Sequence, residues 1–132
     1  SVFPIMFADY GIHLVSSGII AHRDTLKDNP DLVRRFMNAS TKAIEAAIKD
    51  PKAARDATLK LNPKAGKPDT LLEGFELTVP LYTTPETRTK RPFQVTDANM
   101  ADSVALLVEY GGVDAAAKDQ VKSYYTRDFL PK

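Results

Sequence analysis

Hydrophobic and polar positions change their rhythm once along this chain, near residue 22. Before that point, Val2-Phe3-Pro4-Ile5-Met6-Phe7-Ala8 is an almost unbroken apolar run. Ile12-His13-Leu14-Val15 and Ile19-Ile20-Ala21-His22 follow as short pieces rich in β-branched residues. Such runs predict strands over residues 2–8 and 12–22. Between them Asp9-Tyr10-Gly11 has turn chemistry, and Ser16-Ser17-Gly18 breaks the second run, with Gly18 suggesting a bend or a close backbone approach.

Beyond residue 22 the apolar positions recur at helical spacing. Asn29-Pro30-Asp31 supplies an N-cap, a proline at the first helical position and a first-turn acid. Leu32, Val33, Phe36, Met37, Ala43, Ile44, Ala47 and Ile48 then form one stripe, with Arg34, Arg35, Lys42 and Glu45 largely away from it. Asp50-Pro51 repeats the start signal for a helix over 51–61 that stops at Asn62-Pro63. A third helix is predicted from Pro68 to about Val79, ending near Pro80 because proline disfavours continuation. Residues 80–95 read as a surface connection. Thr96 or Asp97 caps a helix carrying Met100, Val104, Leu107 and Val108 that ends at Gly111-Gly112, and a last helix spans roughly Ala116 to Tyr125. The two Asx-Pro starts lie 21 residues apart with no third matching unit, so a helical-repeat solenoid is excluded.

Composition narrows the chemistry more than it names it. The 132 residues fit one small domain, and 43% hydrophobic residues are ordinary for a globular chain. A net charge of +1 gives no nucleic-acid signature. Arg88, Lys90 and Arg91 cluster, but threonines interrupt them, Pro92 follows and no aromatic stacking surface accompanies them, so they read as a solvated loop. With no cysteine, disulfides, thiolate zinc sites and cysteine nucleophiles drop out together. No apolar run approaches the roughly 20 residues of a membrane helix, and the first residues lack the pattern of a signal peptide. An opening as apolar as Val2 to Phe7 instead reads as a strand belonging to something larger, because natural termini are usually polar.

No catalytic constellation emerges. His13 and His22 are nine residues apart in or beside extended segments, a spacing unlike a helical metal pair, and read as structural or surface histidines. Ser16 and Ser17 lack the setting of a nucleophile elbow, and Gly11 with Gly18 forms no dinucleotide or phosphate loop. Asp24, Asp28, Asp31, Glu73, Glu76, Asp97, Asp102 and Glu109 are scattered, as solvated helix faces require. Tyr10, beside Gly11 at a predicted strand end, is placed either to line a pocket or to pack in a core or hinge.

The order of these signals carries a resemblance. Asp9-Tyr10-Gly11, an extended segment to His22, then Asn29-Pro30-Asp31-Leu32-Val33-Arg34-Arg35-Phe36-Met37-Asn38-Ala39, with Ala43, Ala47, Asp50, Pro51 and Ala54 continuing, resembles the aliphatic-sulfonate, nitrate and thiamine-pyrimidine-precursor binding proteins of ABC importers. Tyr110-Gly111 and the stretch Tyr125 to Pro131 look like the family's closing segment. Each signal alone is general capping or turn chemistry, and the resemblance lies in their order and spacing over nearly the whole chain.

The resemblance implies an α/β parent fold, the type II periplasmic binding protein, with two lobes, crossing strands and a ligand cleft. This chain would be its C-terminal portion, mostly α-helical with two or three short N-terminal strands. Residues 1–22 would include the crossing between lobes, and 23–132 the helical part of the first lobe. It further implies a non-enzymatic, solute-capturing component of an importer, periplasmic or lipid-anchored outside the cell, with permease subunits as partners and neither cofactor nor metal. Asp9, Tyr10 and Ser17 are the candidate ligand-binding residues, and Ser16, Ser17 and Gly18 the candidate hinge. Self-association through exposed strand edges is a further expectation. Two other readings stay open: an enzyme of the same fold, such as a pyrimidine synthase or a desulfinase, and a free-standing helical interaction module.

Overall fold

The computed structural model describes residues 5–12, 14, 15 and 17–132, with only the backbone of Ala8. Five α-helices are present among them: α1 (Arg23–Asp28), α2 (Pro30–Lys49), α3 (Pro51–Leu61), α4 (Pro68–Thr78) and α5 (Asp97–Tyr110). Three segments, Phe7–Tyr10, Val79–Tyr82 and Ala115–Ser123, are wound more tightly as 3-10 helices. The chain divides into two compact units. One comprises residues 1–20 and 95–128, the other residues 21–94 and 129–132. Residues 23–132 contribute to both.

The second unit is built by short connections. α2 begins and ends where the Asx-Pro signals place it, because proline at the first helical position costs no hydrogen bond there. Asp50 Oδ1 accepts the Ala53 N–H at 2.9 Å and so caps α3, whereas the Asn29 side chain makes no capping bond. A single residue between α2 and α3 forces the chain to turn at once, and α3 then packs on α4. Beyond Thr78 the chain tightens into the 3-10 turn that accommodates Pro80 near its start.

The buried face of α2 differs from the predicted stripe. Met37 is buried at 7% exposure and Thr41 fully, while Leu32 and Phe36 remain more than half exposed. A threonine tolerates this position because its hydroxyl donates to the Met37 carbonyl at 2.8 Å, leaving no buried polar atom unpaired. At the far end of the unit, Arg91 departs from the solvated loop expected of it. Its Nε and Nη2 donate to the two carboxylate oxygens of Glu45 at 2.7 and 3.0 Å, and its Nη1 donates to the Lys132 carbonyl at 3.0 Å. Just beyond, Phe93 takes φ of 68°, the left-handed region that a bulky residue seldom adopts. Arg34 lies over the Phe129 ring, 5.5 Å from its centroid. The final four residues are thereby tied to α2 and to the loop before Val95.

The first unit rests on α5. Its start is a full capping box: the Thr96 hydroxyl accepts the Asn99 N–H at 3.0 Å, and the Asn99 side chain accepts the Thr96 N–H. At the other end Gly112 takes φ of 71°, and the Val113 N–H bonds back to the Leu107 carbonyl. Val104, with 6% exposure, is a buried apolar residue of this unit. The segment expected as a last α-helix is the 3-10 helix Ala115–Ser123, capped by Asp114 and packed on α5.

The predicted N-terminal strands are not present among the described residues. Phe7–Tyr10 winds into a 3-10 turn instead, closed by Gly11 at φ 77° and by the Ile12 N–H donating to the Phe7 carbonyl. A strand is stabilised by a ladder on a neighbour, and among the described residues no segment supplies one. The Val15 N–H goes to a side chain, the Ser103 Oγ, at 2.8 Å. Nor does Gly18 meet a close backbone: a Cβ built on it would find nothing within 4 Å.

Candidate functional site

The predicted ligand-binding residues belong to one unit and one surface segment. Asp9 and Tyr10 sit in the 3-10 turn, both exposed, with Tyr10 at 73%. Ser17 is exposed in the irregular chain that follows, two residues past the Val15–Ser103 bond. Of the predicted hinge, Ser16 lies outside the described residues, Ser17 and Gly18 are exposed, and the boundary of the unit falls between Ile20 and Ala21. His13 also lies outside the described residues. His22 has a structural role as the N-cap of α1, its Nδ1 accepting the Asp24 N–H at 3.2 Å.

One polar cluster among the described residues is one that sequence reasoning dispersed. Asp97, in the first turn of α5, accepts on Oδ1 from the Tyr125 hydroxyl and from Arg127 Nη2, each at 2.7 Å. Arg127 also donates to the Val95 carbonyl at 3.3 Å and lies over the Tyr125 ring, 5.6 Å from its centroid. Beside this cluster an open depression of about 620 Å³ is lined by Ala101, Lys118, Val121, Lys122 and Tyr125 among others. The separations of 28 and 30 residues hid the cluster from any local pattern. The candidate caps Thr96 and Asp97 and the closing stretch Tyr125 to Pro131 were the signals near it, and nothing in them joined the two.

Electrostatics define what these groups do. The Tyr125 hydrogen bond first, then the Arg127 charge, hold the Asp97 carboxyl below the usual aspartate range, so it is ionised at neutral pH. The same bond pushes the Tyr125 phenol up, keeping it protonated. Neither group is poised near neutrality as an acid–base pair would be. The arrangement is a charge-assisted network that ties the residues after the 3-10 helix to the start of α5. Among the described residues, no group of three or more histidine or acidic side chains converges to hold a metal ion. No helix among them is long and apolar enough to cross a membrane.

What is defined at this level is a helical chain with an exposed, polar-tipped N-terminal segment and a salt-linked anchor on α5. Residues 3–54 match the family model described as NMT1/THI5 like. The match covers the segment bearing Asp9, Tyr10 and Ser17, all of α2 and the start of α3, which is less than half of the chain. No curated protein and no solved structure matches the chain.

Proposed function

We propose that this chain is part of the substrate-binding component of an ABC-type importer, which captures a small solute in the cleft of a two-lobed type II parent fold. The observation that carries the reading is the family match over residues 3–54, which coincides with the ordered signals Tyr10-Gly11, Asn29-Pro30 and Asp50-Pro51. The solute is a sulfonate, a nitrate-like anion or a thiamine-precursor pyrimidine. Asp9, Tyr10 and Ser17 are the contacts this chain offers. Their exposure leaves them available to a ligand, and the short 3-10 turn closed by Gly11 fixes the backbone that carries Asp9 and Tyr10. The protein works outside the cytoplasm and delivers its solute to permease subunits.

The test is thermal unfolding of the native gene product titrated separately with an alkylsulfonate, nitrate and an aminopyrimidine. A ligand that binds only the folded state adds about 2.7 kcal/mol of stability at a hundred times its Kd, so one of the three should raise Tm saturably. No rise with any of them overturns the proposal. If binding is seen, Asp9→Ala, Tyr10→Ala and Ser17→Ala should each weaken it, and unchanged affinity removes that residue from the site.

A further inference from the structure

We draw no further inference here: the strongest candidate, the run of exposed apolar side chains on the N-terminal segment (Ile5, Phe7, Ile19 and Ile20), carries nothing because nothing in the structure shows what covers it.

Discussion

Ser103 is the side chain on which the placement of the N-terminal segment turns. It is buried at 4% exposure in α5. Its hydroxyl donates to the Asn99 carbonyl at 2.8 Å and accepts the Val15 N–H at 2.8 Å. Ser103→Ala removes both bonds at almost constant volume. The Asn99 carbonyl keeps its helical partner, so the loss concentrates on Val15. An amide left without an acceptor costs about 1–3 kcal/mol, and the lower end applies because this bond is only part-buried and water can reach its donor. Alanine's better helix propensity returns roughly 0.5 kcal/mol. The expected net destabilisation is therefore about 0.5–1 kcal/mol. With a urea slope of about 2 kcal/mol/M, the midpoint falls by roughly 0.25–0.5 M. Hydrogen exchange is the sharper assay, since the Val15 amide should lose protection out of proportion to the amides of α5. Val104→Ala, which leaves a cavity in the same helix, should instead lower protection throughout that unit. If Val15 exchanges at the parental rate in Ser103→Ala, the serine does not hold the segment and the reasoning fails.

Three further outcomes follow from particular contacts. Hydrogen bonding from Arg91 holds the Glu45 carboxyl below the usual glutamate range, so its contribution is present above the unfolded pKa and lost as pH falls through the folded one. Acid titration of stability should therefore be shallower in Glu45→Gln than in the parent, and identical slopes would deny the pair any role. Tyr125 should ionise at lower pH in Asp97→Asn, read from tyrosinate absorbance with Tyr125→Phe identifying its signal. Because its folded pKa is raised, its contribution is present below the unfolded pKa and lost as pH rises through the folded one, and an unmoved phenol would contradict the hydrogen bond. Gly112→Ala should cost about 1–2 kcal/mol because φ of 71° lies in the left-handed region that favours glycine, whereas Gly18→Ala, in open space without a positive φ, should be neutral or stabilising by up to about 1 kcal/mol in urea unfolding.

The sequence by itself determined α2 to α5 and most of their ends, but neither α1 nor the 3-10 winding of Ala115–Ser123. Asn29-Pro30, Asp50-Pro51, Thr96 and Gly111-Gly112 act within a few residues of where they stand, through orphaned N–H groups, a fixed proline φ and a left-handed glycine. Of the ordered signals, Tyr10-Gly11, Asn29-Pro30 and Asp50-Pro51 lie within residues 3–54, the range of the family match, and Tyr110-Gly111 and Tyr125 to Pro131 lie beyond it. Strand formation was not legible in the same way, since an apolar, β-branched run becomes a strand only when a partner offers a ladder. The described part of residues 5–22 instead satisfies itself by a 3-10 turn and a bond to Ser103. Only the tertiary structure decided that Thr41 rather than Phe36 would be buried, that Arg91 would clamp Glu45, and that Asp97 would meet Tyr125 and Arg127. Each of those choices depends on which helix face meets a neighbour. That is a relation between residues tens of positions apart, and local periodicity does not carry it.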